Sequence, residues 1–193
     1  GKNAAYVGGI AGLNDAEWGS TGAANTTATI KNCVSSMASD TATNSSRSAL
    51  LQALSTYKDA NNQETTTRAD YVGGLVGRNS KNAVLTWDNE ASTVQIGAVI
   101  CGNDFVGGLV GFASGSKLDN CTTQKGYVLG CCFVGGMAGG FSGSQFKITG
   151  GSNSSTVLGN RYVGGVVSVN GSQSTVSGVI NSGLVAGLGK NAA

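Results

Sequence analysis

The residues able to do chemistry in this 193-residue chain are few: five cysteines, ten carboxylates, twelve lysines and arginines, and no histidine. Without histidine neither a Ser-His-Asp nor a Cys-His arrangement is available for nucleophilic catalysis. Cys33, Cys101, Cys121, Cys131 and Cys132 lack the paired Cys-x-x-Cys spacing that marks a structural zinc site. The glycine-rich phrases precede strand-like runs, not a helix opened by Lys-Ser/Thr, which excludes a phosphate loop. RTX-type calcium binding needs repeated Gly-Gly-x-Gly-x-Asp, and no repeat carries aspartate there. A glycoside-cleaving site needs clustered carboxylates. Asp88 with Glu90, and Asp104 with Asp119, are the only pairs that could supply one, and each reads more simply as a turn residue or a solvated charge. The expectation is therefore a protein that is not an enzyme, with no catalytic, cofactor or metal residues.

The elements that would position these residues are short strands. Glycine is abundant at 32 residues, proline is absent, and 40% of the chain is hydrophobic against 11% charged. That apolar content excludes a disordered chain, and the glycines follow no Gly-X-Y period, which excludes collagen. The formal charge of +2 is too small to imply nucleic-acid binding. No apolar run reaches the roughly eighteen residues that a membrane helix requires, and the first residues show no signal-peptide pattern.

One phrase occurs five times: Tyr6-Val-Gly-Gly-Ile-Ala-Gly12, Tyr71-Val-Gly-Gly-Leu-Val-Gly77, Phe105-Val-Gly-Gly-Leu-Val-Gly111, Phe133-Val-Gly-Gly-Met-Ala-Gly139 and Tyr162-Val-Gly-Gly-Val-Val-Ser168. Successive starts lie 65, 34, 28 and 29 residues apart. A second apolar beat follows each phrase, as in Ile30-Lys-Asn-Cys33, Leu118-Asp-Asn-Cys121 and Phe146-Lys-Ile148. A third reads Val-x-(x)-Gly at Val94–Gly97, Val128–Gly130, Val157–Gly159 and Val185–Gly187. Three short strands with glycine corners every 28 to 34 residues predict an all-β protein, a β-solenoid of about five coils, with apolar ladders inside. A β-sandwich would not need the same seven-residue phrase five times.

The Val-Gly-Gly-Leu-Val-Gly phrase, the asparagine in Leu75-Val-Gly-Arg-Asn79 and the later aliphatic-x-Asn-Cys beat together resemble the GLUG motif. That family recurs in large bacterial surface proteins, including adhesins and regions flanking some immunoglobulin A-cleaving peptidases. The resemblance covers most of the chain outside residues 37–69 and implies an extracellular or cell-surface setting with repetitive architecture. It fixes no ligand. Two departures stand out: Ser168 replaces the final glycine of the fifth phrase, and the second repeat carries Trp87-Asp88 near the place of Asn-Cys.

A longer period is also present, since Gly1-Lys-Asn-Ala-Ala5 returns as Gly189-Lys-Asn-Ala-Ala193, an offset of 188 residues. A continuing Tyr-Val-Gly-Gly would begin 32 residues after Tyr162, inside the spacing already seen. Neither end offers a cap for a solenoid edge. The expectation is one period of a tandem array or fibre, with copies of itself or adjacent repeats as partners. Host or surface glycans and proteins are further candidates, and nucleic acid and membrane insertion are not expected. The rival readings are a carbohydrate-active or carbohydrate-binding β-helix and a passive stalk for a distal enzyme.

The long first interval holds an excursion at about 37–69. Within it, Ser46 to Lys58 reads as an inserted short α-helix with Leu50, Leu51, Leu54 and Tyr57 on one stripe. Trp18, Leu50, Leu54 and Tyr57 are the candidate surface contacts, and Trp87 is a further aromatic for packing or sugar stacking. Cys33 and Cys121, two stacking steps apart at equivalent beats, read as small inward-facing residues too distant for a bridge. Cys101 and the pair Cys131–Cys132 both precede a Phe-Val-Gly-Gly phrase in neighbouring repeats, so one disulfide from Cys101 to Cys131 or Cys132 is allowed. The odd total leaves at least one thiol over.

Overall fold

The computed structural model describes residues 6–15, 27–33, 50–52, 54–58, 63–68, 70–80, 82–86, 94–95, 99–142 and 146–189. Every regular element among them is a β-strand, and no helix occurs among the described residues. The strands fall into five parallel sheets and one antiparallel pair. Each parallel sheet takes one strand from successive sequence repeats, in repeat order.

The phrase itself supplies two of these sheets. Its Val-Gly half forms the first sheet (Val7–Gly8, Val72–Gly73, Asp104–Gly107, Cys132–Gly135, Arg161–Gly164), and its second half begins the strands of the second (Ala11–Asn14, Val76–Asn79, Val110–Ser114, Ala138–Ser142). A sharp bend at Gly-aliphatic separates them. There the carbonyl of the aliphatic residue accepts two amides of the preceding repeat: Leu109 and Val110 N–H donate to Met137 O, each at 2.9 Å. The same fork recurs at Leu75 O, Leu109 O and Val166 O. The bend explains the first glycine of each pair, because a methyl on Gly107 would run into the carbonyl oxygen of Val110, three residues on.

The third sheet collects the second beat, with Ile30, Leu85, Leu118, Ile148 and Val176 in register. The turn after it needs a left-handed residue. Asn32 (φ 52°) and Asn120 (φ 53°) supply it in the Asn-Cys form, and Gly150 (φ 66°) and Gly178 (φ 64°) in the later repeats. Asparagine and glycine tolerate that conformation best, which is the physical content of the beat.

The strand count and the third beat differ from the sequence expectation. Each repeat contributes up to five strands, not three, because the phrase bends into two and a fourth sheet (Val94–Gln95, Thr122–Gln124, Ser152–Asn153, Ile180–Asn181) follows the Asn-Cys turn. Val94 belongs to that fourth sheet, opposite Thr123, and the residue in register with Val128 and Val157 in the fifth sheet is Ile100.

Among the described residues of the expected helix no helix forms, and this is a correction; residues 46–49 and 53 lie outside the described residues. Leu50–Gln52 is a parallel strand of the fifth sheet, with Leu51 opposite Ile100. Leu54–Lys58 pairs antiparallel with Glu64–Arg68, setting Thr56 opposite Thr66 and Lys58 opposite Glu64. The stripe of Leu50, Leu51, Leu54 and Tyr57 fits helical spacing, but helix propensity is a weak prior beside tertiary pairing. An open sheet edge at Val99–Cys101 accepts the first half, and the Thr-rich run 64–68 favours a strand partner for the second.

The core lies between the sheets and is built of like residues stacked on like. Val72, Val106 and Val134 of the first sheet are fully buried, as are Leu75, Leu109 and Met137 at the bend, Leu118 and Ile148 of the third sheet, and Val128 and Val157 of the fifth. Burial of each such side chain stabilises by about 1.5–3 kcal/mol. Cys121 joins this core as the sequence predicts, while Cys33 is half-buried. Both thiols donate to the carbonyl two residues earlier, at 3.3 Å to Asp119 O and Lys31 O.

Candidate functional site

The outer corner where each repeat enters its phrase carries two features built from adjacent columns. The first is an aromatic ridge. Tyr71, Phe105, Phe133 and Tyr162 all hold left-handed backbone (φ 64°, 53°, 54° and 52°), an expensive state for a bulky residue. In the first sheet the partners run Asp104↔Cys132 and then Val106↔Val134, stepping over the aromatic position. The unusual φ keeps the ring at the outside while the next valine enters the core.

The rings stack along the ridge. Phe105–Phe133 and Phe133–Tyr162 have centroids 4.8 Å apart and planes within 11°, and Tyr71–Phe105 lies at 5.2 Å and 4°. These separations approach the spacing of adjacent strands, about 4.8 Å. Tyr6 meets Tyr71 at 5.2 Å, tilted by 49°. Phe112, from the second sheet, sits edge-on to Tyr71 and Phe105. Arg78 donates to the Tyr6 hydroxyl at 3.2 Å, with its guanidinium 5.8 Å from that ring's centre. Burial and then the Tyr6 and Asp70 charges push the Tyr71 phenol upward. Because the inner rings cover one another's faces, the ridge presents edges along its length, and Tyr162, half exposed, ends the row of stacked rings.

The second feature lies immediately before the aromatic column. Asp104, Cys132 and Arg161 are in register in the first sheet. Cys131 and Cys132 N–H both donate to Asn103 O, at 2.6 and 3.3 Å, and Asn160 and Arg161 N–H both donate to Cys131 O, at 2.8 and 3.1 Å. The turn bearing the two cysteines is thus tied to the repeat on either side. Their sulfurs are 3.6 Å apart, and Asn160 Nδ2 donates to Cys131 Sγ at 3.7 Å. The ligand atoms of Asp104, Cys131 and Cys132 all lie within 4.8 Å of one another and are half-buried. Burial, then the bond to Cys131 and its charge, then Asp104, push the Cys132 thiol up to about 11 against the pull of Arg161.

All five cysteines are free thiols. Cys101 stands opposite Leu129 in the fifth sheet, not opposite Cys131 or Cys132. It lies four residues before its Phe105, whereas Cys131 and Cys132 lie two and one before Phe133, so the register offsets them. Asp104 and Asp119 occupy different sheets, the first and the third. Trp18, Trp87, Asp88 and Glu90 lie outside the described residues. Leu50 is in the fifth sheet, and Leu54 and Tyr57 are in the antiparallel pair. The sequence reading missed the convergence of Asp104 with Cys131 and Cys132; the signal available was their shared position just ahead of the aromatic.

A polar ladder crosses the inside. Thr123 Oγ1 donates to Asn153 Oδ1, Asn153 Nδ2 to Asn181 Oδ1 at 2.7 Å, and Asn181 Nδ2 to Gly183 O at 3.1 Å. Thr123 and Asn153 are fully buried, and they press on the second glycine of the phrase: a methyl on Gly136 would meet the Asn153 amide and the Gly165 carbonyl. Asn14 and Asn79 form a shorter ladder, Nδ2 to Oδ1 at 2.8 Å, which gives the asparagine after the phrase a buried structural place.

Comparison with protein-family models, with curated proteins and with solved structures finds no match to this chain.

Proposed function

We propose that the chain is a β-solenoid unit of a bacterial surface protein or extracellular fibre, and that its work is mechanical and adhesive: length, rigidity and repeated display. The observation that carries this reading is the register. Equivalent residues of successive repeats pair in five parallel sheets, so that valine meets valine, asparagine meets asparagine and ring meets ring along one axis. An arrangement of that kind grows by adding identical steps of about 4.8 Å. Polar ladders and stacked rings fix the register, since a slip of one residue would bury the wrong side chains.

A further observation supports the stacking of another repeat or copy on the fifth. Six of the eight exposed large hydrophobics among the described residues lie there: Tyr162, Val169, Ile180, Leu184, Val185 and Leu188, with Ile180 67% and Leu184 64% accessible. The similarity of the phrase to GLUG-motif proteins supports the surface setting.

Electron microscopy of the native full-length product is expected to show a rod with a regular repeat along its axis, and a compact globular particle would overturn the proposal. Incubation with a glycan panel separates the enzymatic rival. Sustained release of reducing ends that is lost on replacing Asp88 and Glu90 would establish a carbohydrate-active β-helix instead.

A further inference from the structure

We propose that Asp104, Cys131 and Cys132 form a binding site for a thiophilic divalent cation, with Zn²⁺ the ion that fits best. The sequence spacing alone gives no such motif, because the ligands come from two neighbouring repeats and meet only through the first-sheet register of Asp104 with Cys132.

Three observations carry the assignment. The first is geometry. Two thiolates bound to one tetrahedral zinc at about 2.3 Å are about 3.8 Å apart. Cys131 Sγ and Cys132 Sγ stand 3.6 Å apart, and the Asp104 carboxylate is within 4.8 Å of both. The Asp104 carboxylate is the third ligand, and the half-buried setting leaves the fourth position to water.

The second is rigidity. The two cysteine amides share the Asn103 carbonyl, and the Cys131 carbonyl accepts two amides of the next repeat, so the ligand-bearing turn is fixed before any ion arrives. Asn160 donates to the Cys131 sulfur, the kind of supporting hydrogen bond that orients a thiolate ligand.

The third is charge. Two thiolates and a carboxylate carry three negative charges, a dication leaves one, and Arg161 stands in register beside Cys132 to balance it. Binding exchanges two S–H bonds for two metal–sulfur bonds and releases both protons to the solvent. The ion would then tie the Asp104–Gly107 strand to the Cys132–Gly135 strand from outside, stapling two successive repeats.

The test uses the reduced 193-residue chain. Titration with Co²⁺ is expected to give sulfur-to-metal charge-transfer absorption and tetrahedral visible bands that saturate at one equivalent and are displaced by Zn²⁺. In the unmodified protein, Zn²⁺ is expected to protect Cys131 and Cys132 from alkylation, read by mass spectrometry, while leaving Cys33 reactive. Cys131→Ser and Cys132→Ser should each weaken binding by at least about a hundredfold and Asp104→Asn by about tenfold, with an unchanged β-sheet circular dichroism spectrum; even supporting residues of such sites act on this scale. Cys33→Ser should leave the titration as it is. Absence of the charge-transfer band in the wild-type chain, or Zn²⁺ protection that falls on Cys33 instead of the pair, overturns the proposal without reference to any variant.

Discussion

Two columns of the same repeat, the second glycine of the phrase and the aromatic that opens it, are built on opposite principles. Inside, Gly108 and Gly136 press against the fully buried Thr123 and Asn153, and Gly165 against Asn181 at the exposed end of the column, with no room for even a methyl group. Outside, Tyr71, Phe105, Phe133 and Tyr162 hold large rings on strained backbone, with solvent beside them. The inner column is specified by exclusion: one size and one hydrogen-bond pattern fit. The outer column is specified by attraction among neighbours, which is more forgiving. The comparison implies that stability and register reside inside, and that the ridge refines them.

The largest expected effect follows from that difference. Gly136→Ala places a methyl against the Gly165 carbonyl and the Asn153 amide, and it should cost more than about 3 kcal/mol in denaturant unfolding or prevent folding outright. Adding Asn153→Ala should recover only part of the loss, because the carbonyl remains. Full recovery would show that the amide alone, not the close approach of strands, demands glycine.

Asn153→Ala by itself strips the fully buried Thr123 hydroxyl and the buried Ser155 amide of their partner, and leaving such groups unsatisfied costs about 2–3 kcal/mol. Denaturant midpoints at constant m-value measure it. A cost near zero would mean that water enters the ladder and that the inner column is not dry.

Cys121, in the buried core, gives the interior a pH signature. Burial, with the Asp119 carboxylate second, pushes its thiol up to about 12 from an ordinary 9.0. The folded state therefore keeps the proton where the unfolded chain loses it, so the stability present below pH 9.0 declines as pH rises toward 12. Cys121→Ala should flatten that decline while lowering stability at neutral pH. An identical alkaline slope in the variant would place the effect elsewhere.

The smallest effect belongs to the ridge. Phe133→Asn removes two ring stacks, each worth about 0.5–1.5 kcal/mol, and returns part of the roughly 1–2 kcal/mol that a left-handed bulky residue costs. The net loss should stay below about 1.5 kcal/mol. If Phe133→Asn proves more damaging than Asn153→Ala, the ridge carries the fold and the ranking of the two columns reverses.

Much of this was legible in the residues themselves. The five phrases announced strands stacked in register, and the valines, bend aliphatics and Asn-Cys beats that the sequence singled out do align across repeats. The candidate site was legible only in fragments. Cys131–Cys132 stood out as a pair, but matching Cys101 to it ignored that the two lie at different distances from their phrases. Residues 50–58 misled because a stripe of leucines fits both a helix and a strand, and only the presence of an open sheet edge selects between them.

The sequence by itself determined the repeat, its corners and the residues that face inward, because like residues at a fixed interval can bury themselves by stacking on their own copies. The tertiary structure decided how many strands each repeat makes, which sheet receives Val94, and that Asp104 meets two cysteines from the next repeat. Those outcomes depend on hydrogen bonds between strands about thirty residues apart, and a register set across space leaves no local trace in the chain.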